Sequence, residues 1–189
     1  MTRLRGPLTT ADVDGQLDHV MGWINDPEVT KNLARFDHAI TRDEERAFLA
    51  KLFASPNDRV FAIETDDGRY VGQIGIHQIY WPAKHGRLGI VIGNKSEWGR
   101  GHAKRANELL LPVAFEELGL NKLWAILYPT NARMRHICQS LGFVQEGVLL
   151  DEYFHQERFH DMVRMCLLKR MWLQRRALHD QPPTASMKS

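Results

Sequence analysis

Residues 86–127 read GRLGIVIGNKSEWGRGHAKRANELLLPVAFEELGLNKLWAIL, and this stretch decides the fold. It opens with an apolar, β-branched run at residues 88–92, which predicts a buried strand. A polar break and the glycine turn WGRGHA at residues 98–103 follow. Gly119 is suited to end the helix after the turn, and residues 123–127 predict the next strand. Within that helix, apolar residues recur near helical spacing at Ala103, Ala106, Leu110, Val113, Ala114 and Leu118.

This order of elements predicts an anion-binding turn. Backbone N–H groups at a helix N-terminus lack partners within the helix, and the helix dipole adds partial positive charge there. Lys104 and Arg105, in the first helical turn, add mobile charge suited to phosphate. A dinucleotide fingerprint would need a third glycine at position 104, and no Gly-Lys-Ser/Thr string of a P-loop occurs in the chain.

The stretch resembles the Gcn5-related N-acetyltransferase (GNAT) family, whose pyrophosphate loop reads Gln/Arg-x-x-Gly-x-Gly/Ala. Gly101 and Ala103 match this pattern, and Trp98 stands where Gln or Arg is usual. Tryptophan there is similar to the branch related to ribosomal-protein N-terminal acetyltransferases. The resemblance runs from about residue 3 to residue 172 and includes Asn131 and the later Leu-Gly-Phe at 141–143.

The resemblance implies an α+β fold with a mixed, mostly antiparallel sheet that is splayed between its fourth and fifth strands and has helices on both faces. It implies transfer of the acetyl group of acetyl-CoA to a primary amine, by direct attack in a ternary complex. No Ser/Cys-His-acid set is evident in the sequence for an acyl-enzyme. One domain is expected over residues 1–172, followed by a partly disordered C-terminal extension over 173–189.

The resemblance also implies which residues bind the cofactor. Backbone amides of the loop would bind the CoA pyrophosphate, the fourth strand around 91–94 would pair with the pantetheine arm, and Ile92 or Gly93 would supply the oxyanion donor. Asn131 has a second interpretation as a helix N-cap. The expected cofactor-binding residues are Val91, Ile92, Gly93, Trp98, Gly99, Arg100, Gly101, His102, Ala103, Lys104 and Asn131.

Cys138 occupies the place where many family members carry a tyrosine that protonates the departing CoA thiolate. Its unperturbed pKa of ~8.5 is close to that of a leaving thiol, so proton donation is feasible. The more usual role of a lone helical cysteine is that of a small buried hydrophobe. Both interpretations stay open from sequence.

The amine acceptor must lose a proton before it attacks, and a carboxylate or imidazole can accept that proton through water. Many relatives carry Glu where Arg87 stands, so a base at that position is in doubt. His77 and Glu152 are the expected catalytic candidates, with His85 and Tyr153 beside them, and Glu152 could equally bind a cationic substrate or be a solvated edge residue. His160 and Asp161 are expected to make a structural hydrogen bond in the last hairpin.

Composition restricts the class of protein further. The chain has 189 residues, 43% of them hydrophobic, and a net charge of +2, which argues against a nucleic-acid partner. Its 2 cysteines form neither a disulfide framework nor a zinc set, and the 9 histidines lack metal-type spacing. No apolar run spans a membrane. A cytoplasmic enzyme without a metal is expected, acting on a small-molecule or peptide amine. The sequence does not give the oligomeric state, although dimers are common in the branch that the chain resembles.

The acceptor itself stays open between a protein N-terminus, a polyamine, an amino sugar and an amine-bearing antibiotic. Trp23, Phe36, Tyr80 and Trp81 are suitable pocket walls, although core packing accounts for them equally well. A rival interpretation is a CoA-binding module that senses or scaffolds without turnover. Pro112 falls inside the helix after the glycine loop and predicts a kink or a tightened turn there.

Overall fold

Seven strands form one sheet in the computed structural model, which describes residues 1–33 and 38–179. They are β1 (Thr2–Arg5), β2 (Arg59–Thr65), β3 (Tyr70–Tyr80), β4 (His85–Ile92), β5 (Lys122–Leu127), β6 (Val144–His155) and β7 (Arg158–Leu168). Their order across the sheet is β1-β2-β3-β4-β5-β7-β6. Only β4 and β5 run parallel, and the other neighbours are antiparallel. The expected mixed, mostly antiparallel α+β sheet is confirmed.

The α-helices of the described residues are α1 (Val13–Met21), α2 (Pro27–Thr30), α3 (Arg42–Ala54), α4 (His102–Pro112), α5 (Ala132–Ser140) and α6 (Lys169–His179). Local chemistry explains where several begin. Thr41 and Glu44 form a capping box at the start of α3, with the Thr41 N–H donating to Glu44 Oε2 at 2.8 Å. Asn131 caps α5 by accepting the Met134 N–H at 3.1 Å.

The parallel pair β4–β5 is joined over a short length. Its register runs His85 with Lys122, Gly86 with Leu123 and Arg87 with Trp124, and pairing ends there. Both strands continue beyond these residues, to Ile92 and Leu127. Their C-terminal halves therefore diverge and leave a gap in the middle of the sheet, as the family resemblance implies.

The two faces of the sheet are covered by different helices. The larger core contains Ile74 and Ile76 from β3 together with Leu110 from α4 and Cys138 from α5. A second core is built on α1 and α3 and packs against Val91 of β4. Because successive side chains of a strand alternate between faces, His77 and Val91 lie on the α1 side, while Ile76 and Ile92 lie on the α4 side.

Pro112 changes the helix in a way that the sequence does not predict. Residues Val113–Glu117 continue directly from α4 as a π-helical segment, in which the Leu118 N–H donates to the Val113 carbonyl at 2.9 Å. The turn that follows Pro112 is therefore widened rather than tightened. The chain does not divide into two separate helices.

The ends of the chain refine the sequence expectations. β1 stops at Arg5, before a cis Gly6–Pro7 bond, and lies at the edge of the sheet. Helix α6 extends across the expected domain boundary at residue 172, with Trp172 buried against Phe115 at a ring separation of 5.3 Å. The proposed pocket wall Phe36 and residues 180–189 of the expected extension lie outside the described residues.

Candidate active site

The glycine loop between β4 and α4 has the geometry of an anion cradle. Gly99 and Gly101 have φ angles of 82° and 84°, and Gly101 is the N-cap of α4. These angles favour glycine because a side chain disfavours the left-handed region. The Arg105 N–H donates to the Gly101 carbonyl at 3.0 Å. The amides of His102, Ala103 and Lys104 precede this bond and lie outside the i to i−4 pattern, available to an anion.

Positive side chains line the rim of this cradle without entering the core. Arg100 and Lys104 are exposed, and their nearest carboxylates are Glu97 at 3.5 Å and Glu108 at 3.9 Å. Arg105 lies nearer to Glu108, at 3.1 Å. The long pairs of Arg100 and Lys104 leave these two exposed cations free to turn toward a phosphate.

A buried carboxylate, Glu97, holds the loop in place. Its side chain is 2% exposed, and its two oxygens lie 3.0 Å from His102 Nε2 and 2.9 Å from an Arg69 guanidinium nitrogen. The hydrogen bond from His102 lowers the pKa of Glu97 below its usual range. His102 Nδ1 also lies 2.9 Å from Thr2 Oγ1. The imidazole of His102 therefore points into the protein, and only its backbone amide belongs to the cradle.

Trp98 ties the same loop to the end of β4. Its indole N–H donates to the Ile92 carbonyl at 2.8 Å, and its ring packs against the α1 core. Gly93 is needed beside it, because a Cβ there would lie 2.3 Å from the Trp23 indole nitrogen. Trp23 is thus a buried wall of this end of the gap.

Hydrogen bonding distinguishes the two oxyanion candidates. The Gly93 N–H donates to the Val71 carbonyl of β3 at 2.9 Å. Since backbone groups of successive strand residues point to opposite neighbours, the N–H of Ile92 points toward the gap. Val91 and Gly93 therefore face β3 with their amides, and Ile92 is the remaining candidate donor.

His77 lies on the α1 face of β3. It is paired with Arg87, the residue of β4 at which pairing with β5 ends, and this point is the vertex of the gap. The Nδ1 of His77 lies 2.9 Å from Asp58 Oδ1. Its imidazole covers two glycines, since a Cβ at Gly75 would lie 2.8 Å from Nε2 and a Cβ at Gly89 would lie 2.9 Å from Cδ2. Burial would raise the pKa of Asp58, but hydrogen bonds from His77 and Ser55 outweigh it and lower that pKa. An imidazole that donates from Nδ1 to a carboxylate keeps Nε2 as a proton acceptor.

Arg87 and Trp124 occupy the last paired position before the strands diverge. Arg87 is also paired with His77 across β3 and β4, so the two side chains share a face. Burial lowers the pKa of Arg87. The Trp124 indole nitrogen lies 3.3 Å from His85 Nδ1, which places His85 beside this end of the gap.

The other predicted catalytic residues are distributed over the fold. Cys138 is fully buried on the α4 side of the sheet, and burial raises the pKa of its thiol to about 12. The premise of a thiol pKa near that of CoA therefore does not hold for it. Glu152 is exposed on β6, the outer strand, two strands away from β5. Tyr153 is half-buried, with its ring 6.3 Å from that of Tyr128.

The remaining expectations concern the last hairpin and the pocket walls. His160 Nε2 lies 3.1 Å from the His155 carbonyl, and Asp161 accepts the Asp151 N–H at 2.9 Å. Both bonds stay within the β6–β7 hairpin, as expected, although His160 and Asp161 do not bond to each other there. Tyr80 is exposed beside His85, while the Trp81 indole donates to Asn57 at 3.0 Å.

Sequence reasoning missed Glu97 and Asp58. Glu97 appears in a polar break and Asp58 in a helix-ending turn, and no local pattern marks either. Their importance arises from partners 28 and 19 positions away in the chain, Arg69 and His77. Within the part of the chain that the structure describes, no cluster of three or more His, Cys, Asp or Glu suited to a metal occurs. The same residues include no helix with the length and apolarity to cross a bilayer.

Comparison with known proteins agrees with this geometry. The acetyltransferase (GNAT) domain family matches residues 3–144. Spermidine N(1)-acetyltransferase of Escherichia coli (strain K12) is 30% identical over 132 residues, covering 70% of this chain and 68% of that protein. The putative ribosomal N-acetyltransferase YdaF of Bacillus subtilis (strain 168) is 32% identical over 106 residues, covering 56% of this chain and 57% of that protein.

A solved structure gives the same fold. Spermidine N-acetyltransferase from Vibrio cholerae, in complex with CoA and spermine, has a TM-score of 0.80 and covers 91% of this chain and 98% of its own. Its identity of 23% establishes the fold alone. The family match over most of the chain, the gap in the sheet and the glycine cradle agree with one another. The chain belongs to the acetyltransferase (GNAT) family and is an acetyl-CoA-dependent N-acetyltransferase.

Proposed function

We propose that this protein acetylates a primary amine by direct attack on acetyl-CoA bound in the gap between β4 and β5. The observation that supports this most directly is that β4–β5 pairing ends at Arg87 and Trp124. Beyond that point β4 continues unpaired with β5 and leads into the cradle of amides that opens α4. The diphosphate would bind the amides of His102, Ala103 and Lys104. The pantetheine arm would follow β4 inward, past Ile92 and toward Gly89.

Backbone and side chain would divide the chemistry of the transfer. The Ile92 N–H, which points into the gap, would donate to the oxyanion of the tetrahedral intermediate. His77 Nε2 would accept the proton of the ammonium group, directly or through water, while Asp58 holds the imidazole in its basic tautomer. Asn131 would cap α5 and contact the pantetheine arm.

His77 fits the role of the base better than Glu152 does. His77 is on β3, and its imidazole lies over Gly89 of β4, one of the two strands that form the gap. Asp58, 2.9 Å away, orients the imidazole. Glu152 is exposed on the outer strand and suits a contact with a long acceptor. Cys138 is a poor proton donor, since burial raises the pKa of its thiol to about 12, and such a thiol holds its proton more tightly than an unperturbed thiol does. The departing thiolate would then be protonated by solvent.

The named substrates of the relatives suggest which amine to test first. The relatives of known substrate are named for spermidine, which makes a polyamine the first amine to test. The other candidate acceptors are a protein N-terminus, an amino sugar and an amine-bearing antibiotic.

The proposed function is tested by thiol release from acetyl-CoA with a panel of these four amine classes. At least one amine should accelerate release well above hydrolysis, and mass spectrometry should find it heavier by one acetyl group. If CoA binds but every amine leaves thiol release at the background rate, the protein is a CoA-binding module and the proposal is wrong.

We also propose that two copies associate through the outer strand β6. Val144, Val148, Leu150 and Phe154 of this strand are exposed, and Phe159 of β7 lies with its ring 5.0 Å from that of Phe154. Apolar surface on an outer strand is typical of an interface. Light scattering should give twice the mass of the chain, and Leu150→Lys should reduce it to a monomer. A monomeric wild-type protein would exclude this association.

A further inference from the structure

We propose that the amine acceptor carries an anionic group, a carboxylate or a phosphate, which Arg87 binds at the vertex of the gap. This inference rests on the proposed function, because it concerns the same cleft. It names the chemistry of the acceptor, and it departs from the polyamine suggested by the relatives.

Arg87 is a half-buried cation without a bound partner among residues 1–33 and 38–179. Its Nε is inaccessible to solvent and makes no hydrogen bond, and no ion pair to its guanidinium is present in this part of the chain. Burial disfavours its charged form, which lowers the pKa of Arg87. A guanidinium remains charged in proteins, so removing it from water without a partner is unfavourable. A bound anion would supply the missing partner.

The neighbouring carboxylates are already engaged. Asp58 attracts Arg87 electrostatically, but its oxygens accept hydrogen bonds from His77 at 2.9 Å and from Ser55 at 2.5 Å. Glu146 is shared by two cations, Lys122 and Arg164, the latter at 3.3 Å. Asp58 and Glu146 are thus each shared with other donors, and neither makes an ion pair with Arg87 in the part of the chain that the structure describes.

Further positive charge surrounds the position. Trp124, the register partner of Arg87 on β5, lies under the Arg164 guanidinium at 4.3 Å from the ring centroid. Lys122 lies two residues before Trp124 on the same strand, hence on the same face. Arg87, Lys122 and Arg164 together outnumber Glu146 and Asp58, so the potential at this end of the gap favours an anion.

The opposite end of the α1 face gives a polyamine no better site. An open cavity of about 460 Å³ there is lined by Asp18 and Asp26 among others. Asp18 is paired with Arg42 at 2.6 Å, and Asp26 with Lys95 at 2.7 Å. Both carboxylates therefore have a basic partner within the protein, and Lys95 is shared with Glu28 at 3.1 Å.

The positions of His77 and Arg87 limit the shape of the acceptor. They are directly paired on β3 and β4, and such pairs have Cβ atoms roughly 5 Å apart. An amine that reaches His77 and an anion that reaches Arg87 must therefore be close neighbours in one molecule. Amino acids, peptide termini with a nearby carboxylate and phosphorylated amino sugars meet this requirement. An extended polyamine does not.

The test compares matched acceptors that differ only in the anion, at saturating acetyl-CoA. The pairs are phenylalanine with 2-phenylethylamine and glucosamine 6-phosphate with glucosamine, and spermidine represents the polycations. The anion-bearing member of at least one pair should have the higher kcat/KM, by roughly 10- to 100-fold, because a hydrogen bond to a charged group stabilises by that ratio. The favoured pair distinguishes carboxylate from phosphate.

Variants of Arg87 assign the preference to this side chain. Arg87→Gln should remove the advantage of the anion-bearing member over its anion-free partner. Arg87→Glu should reverse the order and improve spermidine. Arg170→Gln, which changes an exposed arginine on α6, is the matched control and should alter none of these values. Thermal unfolding and CoA binding verify that each variant is folded.

The inference is overturned if wild-type enzyme prefers spermidine or the anion-free amines, or if Arg87→Gln slows both members of a pair equally. Either result leaves the acetyltransferase proposal intact as long as some amine is acetylated. If no amine is acetylated, the proposed function fails. Calorimetric titration of the CoA-bound protein with the same pairs then tests whether Arg87 binds the anion. Arg87-dependent binding of an anion-bearing member supports the inference, and the lack of such binding contradicts it.

Discussion

The two ends of β4 are built in different ways. At its C-terminal end, the anion cradle consists of backbone amides, fixed by the buried Glu97 and by the Trp98 indole. At its N-terminal end, the proposed acceptor region consists of side chains, with His77 on Asp58 and Arg87 beside Trp124. A backbone site accepts any sequence that preserves its dihedral angles, whereas a side-chain site changes its substrate with each substitution. The difference predicts that substitutions at the cradle change CoA binding, whereas substitutions at the proposed acceptor region change which amine is acetylated.

The largest effect should come from the acceptor end, through His77. His77→Gln keeps the size of the side chain and removes its basic nitrogen, so kcat should fall roughly 100- to 10,000-fold while the KM for acetyl-CoA is unchanged. Steady-state thiol release against the best amine of the panel measures both constants. His136→Gln, an exposed histidine on α5, is the control.

Asp58→Asn sharpens this prediction, because Asp58 acts through His77. Without the carboxylate the imidazole is no longer held with Nδ1 as the donor and Nε2 as the acceptor, so kcat should fall part of the way toward that of His77→Gln while the KM for acetyl-CoA is unchanged. An unchanged kcat in His77→Gln would show that another group, with Glu152 the first alternative, accepts the proton.

A smaller effect, confined to the cofactor, should come from Glu97. Glu97→Gln replaces charge-assisted hydrogen bonds to His102 and Arg69 by neutral ones, which loosens the start of α4. The KM for acetyl-CoA should rise roughly tenfold with little change in kcat. Glu117→Gln, an exposed residue after α4, serves as the control. If kcat of Glu97→Gln falls by the same factor as the KM for acetyl-CoA rises, the loop participates in chemistry as well as in binding.

A smaller effect still is expected for Gly101. Its φ of 84° costs alanine about 1 to 2 kcal/mol, and nothing in the described structure lies within 4 Å of an added Cβ. Gly101→Ala should therefore weaken CoA binding roughly three- to tenfold in a calorimetric titration, because part of this strain is relieved when the loop leaves its binding geometry. Gly101→Asn should lose less, since asparagine tolerates this region. Unchanged affinity in Gly101→Ala would show that the observed loop geometry is not the binding geometry.

The smallest catalytic effect is expected for Cys138. Its thiol lies in the core with a pKa raised to about 12, so Cys138→Ala should leave kcat within assay error. The free energy of unfolding should fall by about 1 to 2 kcal/mol, because a buried sulfur is removed. Chemical denaturation and thiol release measure the two quantities. A large fall in kcat in a folded variant would restore Cys138 as the proton donor.

The same comparison explains what the sequence could predict. The glycines of the loop, the Thr41 capping box and the Asn131 cap act within a few residues, so their patterns are visible along the chain. Asp58 with His77 and Glu97 with Arg69 are contacts between distant segments, which no local pattern encodes. The thiol of Cys138 illustrates a further limit, because its pKa depends on burial that only the packed core reveals. At Pro112 the sequence predicts an irregularity but not the wider turn that follows it.

The central claim is that acetyl-CoA places its diphosphate on the amides that open α4. Residue-resolved amide hydrogen exchange, measured by NMR with and without saturating CoA, tests it most directly. The amides of His102, Ala103 and Lys104 should exchange much more slowly in the complex, because they gain a hydrogen-bond partner that the helix cannot supply. If CoA binds and these three amides exchange at the same rate as in the free protein, the cradle is not the diphosphate site.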